Sequence, residues 1–464
     1  MQLSMSEIAA ILGASSQVRE RTAQGYSLDS RTLRPGELFF AIRGPRFDGH
    51  QFVAPALDKG AVGAVVENSF PQHQLVHSNP CLAGTLLSVP DTTAALKALA
   101  LAVRRKWGRR LIAVTGSAGK TTTKELIATV LATRLRVHRS PGNLNNQYGV
   151  PLALLGLESQ HEVAVIELAM SAPGEIASLA RIAEPEIGVV TNVAPAHLEF
   201  FDSVDSIALA KRELIQNLKS PGTAVLNFDD VRVRRFAEGF TGHVISYGFE
   251  QGADFRAWAT RSEPEEGSEF RVSGPGFAGD FHLRLPGRHN LQNALAAIAT
   301  ASLFGIRPAD VNKALGVLPK LHLRNEILTL PSGITVINDS YNSNPLAMER
   351  MLETLATWPS AGRRIVVAGE MLELGSSSPR WHREIGRKCA QGGVEWLVAV
   401  QGDARFFVEG ARQAGFPAER ARFFSTPDEA ATFCRKLLKP GDVALLKGSR
   451  AVHLEKVLEL LASS

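Results

Sequence analysis

Two kinds of apolar pattern alternate along this chain, short continuous runs and segments in which apolar residues recur every three or four positions. The first is the signature of buried strands and the second of helices packed on one face. Residues 6–12 carry helical spacing, and residues 37–42 and 62–66 read as short strands, which predicts a small α/β unit over roughly the first 85 positions. Pro90-Asp91 opens an alanine- and leucine-rich helix leading to a linker, and the basic stretch Arg104-Arg105-Lys106-Trp107-Gly108-Arg109-Arg110 precedes a new strand. From there, strand-like runs at 111–115, 163–168, 187–191 and 224–227 alternate with helical patterns, the mark of a mostly parallel sheet flanked by helices. Residues 253–285 interrupt this with Gly, Pro and aromatic residues and read as a short β insertion, after which helical spacing returns over 290–304. A third α/β block begins near Leu321, with strands expected at 335–338, 364–368, 396–400 and 443–446.

At 464 residues the chain is too long for one core, since domains usually run ~100 to 200 residues. The patterns divide it into three units, 1–105, 106–318 and 319–464. Hydrophobic residues at 45% and charged residues at 21% exclude a largely disordered chain. A net charge of +5, with no basic block interleaved with aromatics, gives no support for nucleic acid as partner. Cys81, Cys389 and Cys434 are widely spaced and form no CxxC pair, which argues against a disulfide framework or structural zinc and fits a reducing compartment. The first residues show no basic region followed by an apolar core, and no apolar stretch is long enough to span a bilayer.

The strongest chemical signal is Thr115-Gly116-Ser117-Ala118-Gly119-Lys120-Thr121-Thr122-Thr123-Lys124-Glu125, between a strand and a helix. Small residues let backbone N–H groups approach phosphate oxygens, and the helix N-terminus adds a favourable dipole. Lys120 supplies a cation, and Thr121 can offer its hydroxyl to Mg²⁺. Val114 stands where the general Walker pattern has its first glycine, so this is a GxxGKT loop.

Four further groups qualify as site residues. Glu167 ends a strand, where a carboxylate can face a ligand crevice, with a solvated or ion-paired glutamate as the bland alternative. Together with Thr121 it makes a sufficient protein set for Mg²⁺. Asn290 and Asn293 share a helix face and offer the donor and acceptor an adenine edge needs, although Asn290 serves equally well as a helix cap. His197 follows the strand at 187–191, where a surface histidine is the bland alternative, and Lys211 by charge pattern alone is an exposed helical lysine.

The GxxGKT loop, with Glu167-Leu168-Ala169-Met170-Ser171, Asn338-Asp339-Ser340-Tyr341-Asn342-Ser343-Asn344-Pro345 and the N-terminal Asp29-Ser30-Arg31, resembles the Mur ligase family over about residues 27–455. The extension after Thr121 looks like the branch that joins D-alanyl-D-alanine to a UDP-N-acetylmuramoyl tripeptide, an ATP- and Mg²⁺-dependent cytoplasmic step of peptidoglycan synthesis. The resemblance implies an α/β protein of three domains. These are a small UDP-binding domain, a central P-loop ATPase-like domain with a mostly parallel sheet, and a Rossmann-like C-terminal domain.

The resemblance also implies residue roles. Gly116, Ser117, Ala118, Gly119, Lys120, Thr121, Thr122, Asn290, Asn293, Arg324 and Asp339 would hold the nucleotide. Thr121, Glu167, His197 and Lys211 would serve Mg²⁺, with Lys211 carbamylated. Lys120, Glu167, His197 and Lys211 would be the catalytic set. Ser30 and Arg31 would bind the UDP diphosphate, and Asn145, Asn146, Asn342, Asn344 and Lys447 would face substrate. Asn338 replaces the family's first aspartate, and Leu323 stands where a glycine usually precedes the arginine. A monomer is expected. The rivals are the family branch that adds the third amino acid, whose Asp-Asn-Pro-Arg motif is absent here, and a nucleotide-switch binding protein.

Overall fold

The computed structural model of the chain describes all residues except 15–17, 45–46, 72–76, 78, 80–81, 264–265, 319–322 and 463–464. Cys81 and Leu321, the expected start of the third block, lie outside the described residues.

The N-terminal sheet is parallel and four-stranded, in the order Gly25–Ser27, Glu37–Phe40, Gly63–Glu67, Leu86–Val89. The helix Met5–Leu12 beside it starts with a capping box between Ser4 and Glu7 and stops at Gly13, whose φ of 63° ends the helical path. Asp91 caps the helix Thr92–Trp107 by accepting from the N–H groups of Thr93 and Ala94. The basic stretch expected just before a new strand ends with Arg110 opening that strand and begins as the last turn of this helix. Arg104 is buried there, donating to the Ala183 carbonyl at 2.7 Å and pairing with Glu186 at 2.9 Å. Leu96, Leu99, Val103 and Trp107 on the same helix join one core with Leu111, Ala113, Leu154 and Ile166. The small N-terminal sheet is therefore fixed to the rest of the molecule by shared apolar burial as well as by a buried guanidinium.

The central sheet has nine strands in the order Phe277–Leu283, Gly267–Gly274, Phe255–Glu263, His243–Gly248, Thr223–Asn227, Ile187–Val190, Arg110–Thr115, Val163–Glu167, Val137–Arg139. The six from His243 to Val137 run parallel to their neighbours, and the central ones, Ile187–Val190, Arg110–Thr115 and Val163–Glu167, are apolar because helices cover both faces. The expected β insertion extends this sheet as two antiparallel ladders at one end. Its Phe255, Phe270, Phe277 and Phe281 point inward against the alanine-rich helix Arg288–Ser302, which is buried from Asn290 to Ala301.

The C-terminal sheet has six strands in the order Glu326–Thr329, Thr335–Asn338, Val443–Lys447, Arg364–Gly369, Trp396–Val400, Ala421–Phe424, and all but the first are parallel. Helices on both faces make it doubly wound. From Thr335–Asn338 the chain crosses to the far side of Val443–Lys447, so its crevice opens beyond the carboxyl ends of these strands. Three parallel-sheet units of this kind are the α/β architecture expected. Among the described residues, no helix is long and apolar enough to cross a membrane.

Candidate active site

Strand Arg110–Thr115 runs straight into the phosphate loop, and helix Lys120–Leu131 begins at its end. The loop is braced from below by the segment that follows strand Ile187–Val190. Ser117 N–H donates to the Asn192 carbonyl and Ala118 N–H to Asn192 Oδ1, both at 2.9 Å, while Thr191 Oγ1 donates to the Ala118 carbonyl at 2.6 Å. Gly119 has φ 82°, and a Cβ there would stand 2.5 Å from Asn293 Oδ1, so only glycine fits. Lys120 curls back, donating to the Gly116 carbonyl at 2.9 Å. Burial lowers its pKa, and Glu167 opposes that shift.

Glu167 closes strand Val163–Glu167 as a buried carboxylate. Its two oxygens accept from Thr121 Oγ1 at 2.8 Å and Asn145 Nδ2 at 2.7 Å. Lys124, one turn into the phosphate-loop helix, is fully buried and donates to the carbonyls of Ser140 at 2.7 Å and Gly142 at 3.1 Å. It thereby ties the loop that carries Asn145 to the helix that carries Thr121. Asn146 Oδ1 accepts from Tyr148 and Gly149 N–H, which closes a turn.

Lys211, on helix Val204–Gln216, is 2% exposed, which overturns the exposed lysine read from charge pattern. Burial pushes its pKa well down, and the charge of Lys120 pushes it further. His197 has φ 59° and meets Glu373 of the C-terminal unit at 2.5 Å. The structure brings Thr121 and Glu167 into direct contact but gives His197 and Lys211 no bond to either. Among the described residues, no three His, Cys, Asp or Glu side chains gather as a metal cluster.

Asn290 and Asn293 are buried on helix Arg288–Ser302. Asn290 Nδ2 donates to the Pro286 carbonyl at 2.7 Å, and Asn293 Oδ1 accepts from Thr123 at 3.2 Å. Opposite them stand the C-terminal loops. The Arg324 guanidinium lies over the Tyr341 ring at 4.1 Å. Lys447, buried at the end of strand Val443–Lys447, pairs with Asp339 at 2.5 Å and donates to the Asn342 carbonyl at 3.0 Å. Asn344 caps helix Pro345–Ala356 and donates across the units to the Ser117 carbonyl at 3.3 Å. Leu323 and Asn325, on either side of Arg324, both have positive φ, 59° and 45°.

These groups line one cavity of about 670 Å³ between the central and C-terminal units, with Ser117 to Thr122, Asn145, Asn146, Glu167, His197, Asn290, Asn293, Arg324, Asp339, Asn342, Asn344 and Lys447 on its walls. Asn325 Oδ1 and Ser343 Oγ, also on its walls, are buried without a hydrogen-bond partner, as a site awaiting a polar ligand would leave them. Gly116 and Lys211 are not among the residues that line it. Ser30 and Arg31 are outside it, with Arg31 pairing with Asp29 at 2.7 Å on the surface of the N-terminal sheet.

Sequence reasoning missed Glu373 and gave Asn192 and Lys124 no role of their own. Glu373 had one signal, its place on a loop after an expected strand.

Family models match the chain in three consecutive stretches: the Mur ligase family catalytic domain over residues 22–107, the Mur ligase middle domain over 114–301 and the Mur ligase glutamate ligase domain over 323–450. The UDP-N-acetylmuramoyl-tripeptide--D-alanyl-D-alanine ligase of Bacillus subtilis is 34% identical over 451 residues, covering 97% of this chain and 96% of its own. A crystal structure of MurF from Acinetobacter baumannii superposes with a TM-score of 0.88 at 30% identity, covering 100% of this chain and 99% of its own. That of MurF ligase from Thermotoga maritima in complex with ADP gives 0.81 at 28% identity, covering 95% and 97%. With its phosphate loop, its facing C-terminal loops and its whole length matched in order, the chain belongs to the Mur ligase family.

Proposed function

We propose that the chain is an ATP-dependent ligase that joins D-alanyl-D-alanine to UDP-N-acetylmuramoyl-tripeptide, forming the pentapeptide precursor of peptidoglycan. The observation that carries this is the convergence of the phosphate loop, Ser117 to Thr122, with Arg324, Asp339 and Lys447 on one cavity, in a chain similar end to end to a ligase of that name. The terminal carboxylate of the tripeptide attacks the γ-phosphorus of ATP, and ADP leaves. The dipeptide amine then attacks the acyl phosphate carbon, phosphate leaves, and an amide remains. The branch that adds the third amino acid would need an Asp-Asn-Pro-Arg motif that this sequence lacks. Both substrates of the first step are nucleotides of the cytoplasm, where this reading puts the enzyme.

Each side chain has a task in that scheme. Backbone N–H groups of Ser117 to Thr122 cradle the phosphates, and Lys120 and Arg324 face the charge that develops on the γ-phosphate. Asn290 and Asn293 take the adenine, and Asp339 contacts the nucleotide. Ser30 and Arg31 bind the UDP diphosphate, and Asn145, Asn146, Asn342, Asn344 and Lys447 position the peptide and dipeptide.

A hydroxyl and a buried carboxylate 2.8 Å apart, beside a phosphate cradle, form an oxygen-donor set suited to Mg²⁺. Thr121 and Glu167 would hold it, with His197 and a carbamylated Lys211 completing the set. When bound, Mg²⁺ offsets negative charge on the transferring phosphate. Burial and the charge of Lys120 both disfavour the charged form of Lys211, and a lysine reacts with CO₂ as the neutral amine, which supports the carbamate.

The test is Lys120→Ala. It is expected to keep the fold and lose ligation by roughly 10²-fold or more, the scale of removing one preorganised electrostatic group. Near-normal turnover would overturn the assignment.

A further inference from the structure

His197 and Glu373 come from different sheets, 176 positions apart in sequence, yet their side chains meet at 2.5 Å. Their loops clasp at a second point, where Glu199 N–H donates to the Glu373 carbonyl at 3.1 Å. The approach is tight. Gly375 has φ 52°, and a Cβ there would lie 3.0 Å from Glu199 Cα. Leu198, between the two bonded residues, packs against the C-terminal core. Both His197 and Glu373 adopt positive φ, 59° and 62°, a conformation non-glycine residues keep only when surrounding contacts enforce it. Both line the cavity.

The chemistry of this contact is directional. An ionised carboxylate only accepts, so the ring nitrogen facing Glu373 must carry a proton. In a neutral imidazole the proton on Nδ1 leaves Nε2 with its lone pair, and Nε2 is the nitrogen free to act in the cavity. Among the described residues, Glu373 is the only hydrogen-bond partner of the His197 ring. We infer that Glu373 is a positioning residue that fixes His197 as the Nδ1–H tautomer, making Nε2 an acceptor toward Mg²⁺ only when the C-terminal unit is docked. This rests on His197 serving the metal in the proposed ligase. It adds that docking of the C-terminal sheet and readiness of the metal site are one event, since the group that orients the histidine arrives with that sheet. Carboxylates that orient ligating histidines in this way typically change metal affinity about 10- to 100-fold when removed.

The test compares wild type with Glu373→Ala and Glu373→Gln, each ADP-bound and labelled with ¹⁵N-histidine, with the His197 signals assigned by their loss in His197→Gln. Ring nitrogen shifts report the tautomer, and Mn²⁺ titration reports metal affinity without requiring turnover. Wild type should show Nδ1–H. Glu373→Ala should shift the ring toward Nε2–H and weaken Mn²⁺ binding about 10- to 100-fold. Glu373→Gln, whose Oε1 can accept the same bond, should recover most of both. An unchanged tautomer and Mn²⁺ affinity in Glu373→Ala would overturn the inference even if ligation fell, as would a Gln variant as impaired as Ala. Loss of ADP binding in EDTA would mark Glu373 as merely structural and overturn it too. Wild-type ligation measured alongside separates the two levels: its absence would sink the ligase reading, whereas the tautomer result bears on Glu373 alone.

Discussion

Thr191 Oγ1 stands 1.8 Å from where a Cβ on Gly116 would lie, so the floor of the phosphate loop has no room for any side chain at that glycine. The hydroxyl cannot easily retreat, because it is held by the Ala118 carbonyl at 2.6 Å. Gly116 also has φ 149°, which L side chains rarely adopt. Gly116→Ala should therefore destabilise the protein by about 1 to 3 kcal/mol, the usual cost of overpacking, and weaken ADP binding by distorting the loop. Adding Thr191→Ala should recover part of the stability, because it removes the nearest clashing atom. Urea unfolding of the single and double variants checks the coupling, and additive effects would contradict it.

Leu323 offers a test of backbone strain beside the cavity. It is buried, yet holds φ 59°, in the region that costs an ordinary L residue roughly 1 to 2 kcal/mol. Removing its side chain should destabilise in either variant, but Leu323→Gly should be more stable than Leu323→Ala by about 1 kcal/mol. That reverses the order these residues show in a helix. Equal midpoints in urea, or Ala the more stable, would show that the strain is absent.

The parts of the site legible in sequence are those made by neighbours in the chain. The strand, turn and helix around residues 110–131 set Lys120 and Thr121, and the strand end sets Glu167, because local spacing alone determines them. Strands 335–338 and 396–400 were likewise expected with the bounds observed, since apolar runs covered on both faces leave no ambiguity of side. What pattern could not convey is contact across sheets. Glu373 acquires its partner 176 positions away. Lys211 reads as solvated until the central unit folds around it. The basic stretch at 104–110 reads only as the boundary before a new strand, because nothing local shows that Arg104 meets the carbonyl of Ala183. Asparagines are ambiguous for a related reason: the side chain that suits a ligand also suits a turn or cap, as Asn146 and Asn344 do here.

Lys211→Ala addresses the carbamate. Ligation should fall by roughly 10²-fold or more, on the scale of losing one electrostatic partner of the transferring phosphate. Short-chain carboxylates should restore part of it by filling the vacated position. CO₂-depleted buffer should lower wild-type activity reversibly, provided the carbamate exchanges within the assay. Wild-type activity in the variant at saturating Mg²⁺ would show that no carbamate is needed.

The most direct test of the account is reconstitution from purified components. The chain is mixed with ATP, Mg²⁺, UDP-N-acetylmuramoyl-tripeptide and D-alanyl-D-alanine, and ADP release is followed beside the mass of the nucleotide product. The account predicts one ADP for each UDP-linked pentapeptide, with neither formed when tripeptide or ATP is omitted. ADP released without pentapeptide, or a single amino acid joined in place of the dipeptide, would contradict it.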